Sequence, residues 1–567
     1  VENAEGLLQT TLVGSYNKRP VDASGLIGPF NNILNGENIR LALSASIGTL
    51  KIDGSGTIDS LEDPRQPKLR LDITAPDAVE VAGMFGIPFD TPSDIQLNVN
   101  IEPADVGIDF TAGGRWATTN LDFKGRVKNL PALDGVELSA KGEGNDLRGA
   151  LRLFGFARAP EAPFNFSGDL SRDGEELDVR ELELSVGNFL LQLNGDMNRF
   201  PSLNDANLSL SAKGSNVENF RELLGIPGVA TGAFSLEGEL GRNPSGDDEF
   251  RLRARTALGK GTVSGTLGPA PNYIGTQISF SADGVSLGKL SEVFLVTELK
   301  DEPFRVTAEV DVVPAGYQLK AGTFESGPAN IKANGLITDD PGLVGTKLTW
   351  SLTQVDLKDI GRLSDPPVEL PSRLMTATGS TQARPADLVL SNVSGTIGKA
   401  AFTVTGQLGR AEDFRGTDLR VSLQGPDFER AAMLVGNFNV PAGPFEYASR
   451  VQRTGKGVSI SESSFDVAGA SGRVDFELGL PLEPVDATFD IEITGPNVSQ
   501  FWEDRDHLKL GEKPFTIDRR GELTEDILRL DDGMLKVDET VLNATGEIRR
   551  GASDNFINIR ASSPEVS

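Results

Sequence analysis

The sequence predicts a mostly β, elongated repeat protein: a continuous antiparallel sheet curled into a hydrophobic groove, with one short helix per repeat of about 70 residues. Three observations predict it. A ten-residue stretch, Asn216 to Gly225, recurs at almost constant spacing; the segments between its copies alternate apolar and polar residues; and glycine returns at one position of the third strand of each unit.

The recurring stretch is read as a capped helix. With Val217 as marker, its equivalents are Ala78, Leu147, Leu287, Leu357, Phe428 and Val498, separated along the chain by 69, 70, 70, 70, 71 and 70 residues. Just before each marker stands Asp77, Asp146, Asn216, Ser286, Asp356, Asp427 or Asn497. All of these side chains accept hydrogen bonds from the free N–H groups of a first helical turn. Apolar residues then fall at helical spacing, as in Val217, Phe220, Leu223 and Leu224, or Leu287, Leu290, Val293 and Phe294. Gly86, Gly155 and Gly225 close three copies, where positive φ ends a helix.

Between helices the period falls to two. One unit is read as strands at Phe164 to Leu170, Leu177 to Val186, Phe189 to Met197 and Ala206 to Ala212. In the next unit, Phe234, Leu236, Leu240, Phe250, Leu252, Val263, Leu267, Ile278 and Phe280 share one face, while Glu237, Glu239, Arg251 and Arg253 take the other. First strands open on Ile95, Phe164, Phe234, Phe304, Leu374, Phe445 and Phe515. Third strands carry Gly56, Gly125, Gly195, Gly265, Gly335 and Gly406, then Phe476, then Gly546. A glycine there costs local β preference, so a bend is the reading taken, with a bulge or room for a close neighbour as alternatives.

The repeats divide the chain into an N-terminal partial repeat with entry strands (1–92), repeats at 93–161, 162–231, 232–301, 302–371, 372–442 and 443–512, and a C-terminal partial repeat (513–567). At the start, Leu7 to Tyr16 reads as a strand, Asn17 to Pro20 as its turn, and Val21 to Leu26, Leu41 to Ala45 and Leu50 to Ile58 as further strands. A fourth strand is expected near Phe556 to Ile559. Proline-rich connectors such as Asp365 to Pro367 and Leu480 to Pro484 are too short to separate independent domains.

A groove follows from dimensions. Four strands side by side are about 19 Å wide, and one helix of about nine residues is roughly 14 Å long and cannot cover them. Soluble proteins seldom leave apolar patches larger than a few hundred Å² exposed. Separate sandwiches need about seven strands each, so a trough filled by hydrocarbon is the better fit. The lining is assigned to Phe164, Phe166, Leu191, Leu193, Leu208, Leu210, Phe234, Leu236, Val263, Ile278, Phe280, Phe304, Val306 and Phe445. The first-strand phenylalanines can either meet ligand or pack on their neighbours.

Composition narrows the partners. A net charge of −28 argues against nucleic acid and against electrostatic docking on an anionic membrane. With no cysteine there are no disulfides, thiolate nucleophiles or sulfur-ligated metals. No run reaches the roughly 18 apolar residues of a membrane-spanning helix, and Val1-Glu2-Asn3 does not resemble a signal peptide; the expectation is that an anchor was cut away.

The residues carry a resemblance. Gly14-Ser15-Tyr16-Asn17-Lys18-Arg19-Pro20-Val21 with Ser24-Gly25-Leu26 resembles the passage of AsmA-like proteins in which a strand turns through a polar, proline-containing loop. Leu208 to Gly214, Asn216 to Gly225, Pro227 and Gly232 to Gly238 resemble the same family's cadence of strand, glycine, capped helix, strand, glycine. The family includes TamB-like relatives and the wider bridge-like lipid transfer proteins. The resemblance implies a periplasmic protein of a Gram-negative envelope, anchored in the inner membrane by a helix absent from this chain. It would carry phospholipid, held by its acyl chains, towards the outer membrane and a partner there.

The sequence carries no arrangement of catalytic or metal-ligating residues. His507, the single histidine, has no second imidazole to share a metal and is read as a solvated loop residue. Arg172 to Glu176 lacks the spaced oxygens of a calcium loop and reads as a hairpin turn; Gly142-Glu143-Gly144 lacks the rest of a phosphate loop. No Gly-x-Ser-x-Gly elbow lies near His507, so the chain is expected not to be an enzyme and to need no cofactor. The alternatives to lipid transport are a structural or adhesive β rod without ligand, and a scaffold assisting outer-membrane protein assembly.

Overall fold

The alternation is realised strand by strand, in a computed structural model that describes residues 6–16, 19–36, 38–59, 66–84, 93–129, 134–148, 162–216, 231–293, 299–363, 369–409, 414–432, 441–453, 455, 457–479, 487–500, 511–524, 527–549 and 556–564. The chain divides into two units, Val1–Leu295 and Val296–Ser567. In the first, seventeen strands run from Leu8–Tyr16 to Gln277–Gly284; in the second, sixteen run from Phe304–Val313 to Phe556–Ser562. Within each unit every strand pairs antiparallel with the strand before and after it. The fold class is therefore the expected one: mostly β, an open antiparallel sheet with few short helices. Pairing also passes straight through the places where repeats meet, as in Leu236 opposite Ala212 and Ile517 opposite Ile493. The sheet of each unit is not broken into closed modules.

The strands read for the unit after Phe164 are found at Phe164–Asp173, Glu176–Val186, Phe189–Met197 and Ala206–Gly214. Arg172 to Glu176 is the hairpin, Asp173 facing Glu176 across Gly174 in the left-handed region. Gly142-Glu143-Gly144 lies inside the strand Asp134–Gly144, with the Phe166 and Phe164 rings against its two glycines. At the start, Arg19 and Pro20 already belong to the second strand, so the first turn is tighter than expected. A helix at Phe30–Asn35 was not expected; Phe30 and Leu34 on it are exposed, so no apolar stripe announced it.

Five of the seven expected caps are seen among the described residues; at Asp146 the buried Oδ1 has no hydrogen-bond partner there, and the residues after Asn216 lie outside them. Asp77, Ser286, Asp356, Asp427 and Asn497 each accept from a backbone N–H two or three residues on. The marker's own N–H reaches forward to the chain entering the next strand: Leu147 N–H to Ala162 O at 3.0 Å, Phe428 to Gly443 at 2.8 Å, Val498 to Lys513 at 2.9 Å. This bond fixes each helix against the strand that follows. Helices are seen at Ala78–Met84, Leu287–Val293, Leu357–Leu363 and Phe428–Ala432. The stripe Val217, Phe220, Leu223 and Leu224, the closing Gly86, Gly155 and Gly225, Phe294, His507 and the two proline connectors lie outside the described residues.

The recurring third-strand glycine has a steric cause. A Cβ at Gly56, Gly195, Gly335, Gly406 or Gly546 would overlap the carbonyl oxygen of Lys68, Asn207, Lys347, Asp418 or Asn558, each twelve residues on in the paired strand. At Gly195 the backbone also takes a φ of 135°, which a side chain resists. On its other flank the glycine faces the last residue before a register shift: Val179 opposite Gly195, Leu319 opposite Gly335, Leu390 opposite Gly406, Leu530 opposite Gly546. Glycine thus admits a close backbone beside a bulge, a pairing that bends and twists a sheet.

Candidate functional site

Register, not proximity in sequence, builds the site. Starting at Leu12 and stepping from each residue to its partner on the next strand gives Ala23, Ala45, Ile52, Ile73, Leu97, Gly114, Leu121, Gly142, Phe166, Leu184, Leu191, Ala212, Leu236, Ala254, Gly261 and Ala282. One residue comes from every strand of Val1–Leu295, and none is polar. Two residues along, a second row contains Leu182, Leu193, Leu210, Gly238, Leu252, Val263 and Phe280. A third holds Gly195, Leu208, Leu240, Phe250, Gly265 and Ile278. Neighbours in a row lie about 4.8 Å apart and rows about 7 Å apart, so the three form one apolar band.

The second unit repeats this. From Val306 the first row runs through Phe324, Ile331, Leu352, Ala377, Gly395, Phe402, Leu423, Tyr447, Phe465, Gly472, Ile493, Ile517, Leu535 and Leu542. It too carries no charge.

What these rows lack is a roof. Their large members, Ile52, Ile73, Leu97, Leu121, Phe166, Leu184, Leu191 and Leu236, are half-buried: neighbours shield their flanks, and no second layer of described residues closes over them. Leu193, Leu208, Leu210, Val263, Ile278, Phe280 and Val306 are half-buried as well. Full burial is concentrated at the rims, where helix and turn meet the strand ends.

There the first-strand phenylalanines separate from the rest of the expected lining. Phe164 faces Gly144, Phe445 faces Gly425 and Phe515 faces Gly495, each ring lying over the bare glycine. Phe164 packs with Leu147 and Val186, Phe515 with Ala470 and Val498, and Phe445 against Phe428 with ring centroids 5.3 Å apart. Phe445 is 4% exposed and offers a ligand almost no surface. Phe234 and Phe304 stay half-buried and stack on Phe189 and Phe324 at 6.0 and 6.4 Å.

In the first unit the band encloses a cavity of about 630 Å³, almost wholly apolar. Phe164, Phe166, Leu191, Leu193 and Leu210 line it, and so do Leu97, Trp116, Leu121, Phe123, Leu138, Leu147 and Leu184, which were not assigned from the sequence. For Leu97, Trp116, Leu121, Phe123 and Leu138 the signal is the same alternation one repeat earlier; Leu184 lies in the strand read at Leu177 to Val186, and Leu147 is a helix marker. On the opposite face, towards the other ends of these strands, lies a polar hollow of about 1190 Å³ containing Arg70, Asp109, Lys124, Arg126, Glu137 and Asp169. Arg126 forks onto Asp109 at 2.7 and 3.1 Å, and that hydrogen bond holds the Asp109 carboxyl below its usual range.

Among the described residues no group of acidic or histidine side chains is arranged to hold a metal ion. No helix among them is long and apolar enough to cross a membrane. No family model, curated protein or solved structure matches the chain.

Proposed function

We propose that the apolar band is a lipid-carrying surface, on which acyl chains lie over the three rows with their head groups turned to water. One observation carries this reading: a row without a polar residue crosses every described strand of Val1–Leu295, its large side chains beyond Leu12 half-buried with no covering layer among the described residues. Each buried CH₂ gains about 0.8 kcal/mol, so hydrocarbon is the occupant such a surface favours. The resemblance of the repeats to AsmA-like proteins supplies the setting: phospholipid moving between the inner and outer membranes of a Gram-negative envelope, with the chain periplasmic and no catalysis involved.

A rod of closed β modules would end its pairing at each repeat, whereas Leu236 pairs with Ala212 and Phe166 with Gly142 across repeat boundaries. The test is native mass spectrometry with lipid extraction of the chain purified from a Gram-negative host. Bound phospholipid in more than one copy is the expected result; protein that is empty after gentle purification sinks the proposal.

A further inference from the structure

We infer that Arg519 is the head-group anchor of this surface, the place where the phosphate of a phospholipid is held. The inference rests on the lipid-carrying reading and adds to it a ligand group and an address. Arg519 sits on the strand Phe515–Leu523 in phase with Phe515, Ile517, Gly521 and Leu523, that is, on the apolar face. Its cross-strand partners are Ile491 on one side and Gly533 on the other, which places it in the centre row with apolar rows either side. Nowhere else among the described strands does a charged side chain stand in the middle of that face.

The neighbouring charges do not answer it. Asp518 and Arg520 alternate to the polar face, where Arg520 bonds Asp490 at 2.9 Å. The Arg519 side chain is half-buried and makes no hydrogen bond or ion pair with any described residue. The chain has 82 acidic residues, yet the positions across from this guanidinium are held by Ile491 and Gly533. When hydrocarbon covers Ile491, Ile517 and their two rows, water leaves as well, and an unpaired cation there is costly. An anion arriving at the head of the same hydrocarbon removes that cost. The planar fork of a guanidinium fits phosphate in two-pronged fashion, and an aliphatic stem of this kind lies comfortably on an apolar floor.

The experiment uses the full chain stripped of lipid in mild detergent and offered an equimolar mixture of phosphatidylglycerol and diacylglycerol with identical tails. Lipid retained after gel filtration is read by mass spectrometry. The wild type should favour the phosphate-bearing lipid by about tenfold, as hydrogen bonds to charged groups imply. Arg519→Gln should bring that ratio to about one without changing diacylglycerol uptake, and Arg519→Lys should restore much of it. Raising salt should weaken the preference, though less than for an exposed pair. A wild type that takes up both lipids equally, or a preference that survives in Arg519→Gln, overturns the anchor while leaving the lipid-carrying reading intact. Failure of the wild type to take up either lipid removes both. A fatty acid favoured over its methyl ester while phosphatidylglycerol is ignored would replace phosphate by carboxylate and overturn the assignment made here.

Discussion

The Lys300 ammonium lies 2.8 Å from the Asp356 carboxylate, joining the chain ahead of one repeat's first strand to the cap of that repeat's helix. Asp356 also accepts from Ser372 Oγ at 2.7 Å, Lys358 N–H at 3.1 Å and Arg373 N–H at 3.2 Å, and is 6% exposed. Burial alone would raise its pKa, but the hydrogen bonds from Lys300, Ser372 and Lys358 outweigh it and bring the value down to about 2. A carboxyl depressed in the folded state contributes stability that is complete above its unfolded value of 3.8 and is lost as pH falls towards 2. The expected outcome is that Asp356→Asn costs the Val296–Ser567 unit about 2 kcal/mol at pH 7 and little at pH 2. Urea titrations at both pH values check it; an equal cost at both would show that the charge contributes nothing.

Phe515 and Phe280 are the same residue type in opposite situations, and truncation should separate them. Phe515 is 2% exposed beneath Val498 and over Gly495, so Phe515→Ala is expected to cost about 3 kcal/mol or more, with a cavity left behind. Phe280 is half-buried beside Val263, and Phe280→Ala should cost about 1 kcal/mol because the site is already open to water. Hydrogen exchange on the strands Ala487–Gly495 and Gln277–Gly284 measures each effect locally. Similar losses at the two sites would mean that the face around Phe280 is roofed.

That contrast also marks what sequence could and could not disclose. The alternation from Phe164 to Ala212 and the caps before each helix are local signals, and they located strands and helix starts because period and propensity are written in adjacent residues. Whether a phenylalanine is wall or rim depends on the residue opposite, and Gly144 lies twenty positions before Phe164. Phe445 was therefore placed in the lining when it is sealed by Phe428 and Gly425. Arg519 is illegible in the sequence for a related reason: apolar alternation marks the residues that fill the phase and not the one that interrupts it. The cavity residues Leu97, Trp116 and Leu121 carried the same pattern as Phe164 and Phe166 but belonged to a repeat that had not been assigned to the lining.

The glycine ladder gives a third prediction. Gly195→Ala must push the carbonyl of Asn207 away and abandon a φ of 135°, at a cost of about 2 kcal/mol or more. One repeat does without the glycine: Phe476 faces Ile460, and there the register shift runs from Ile460 to Phe465, wider than in the other copies. The expectation is that Phe476→Gly is tolerated, costing no more than the ring's own burial, while Gly195→Ala lowers the urea midpoint of its unit. Equal tolerance at Gly195 would refer the repeated glycine to something other than the crowded backbone.

Val263 and Phe280 are direct cross-strand partners in the middle of the band, and they are where a barrier to hydrocarbon is simplest to build. Both are half-buried, so aspartate at either position keeps its water while the band is empty, and the double variant Val263→Asp, Phe280→Asp should fold with the wild-type circular dichroism spectrum. Acyl chains laid over the band would strip that water from two adjacent carboxylates. The expected outcome is about a tenfold or greater fall in lipid retained on extraction, with no comparable fall for Glu237→Gln on the opposite face of the strand Phe234–Arg242, two strands before that of Val263. Retention unchanged in the double variant, with the fold intact, would mean that bound lipid lies elsewhere than on these rows.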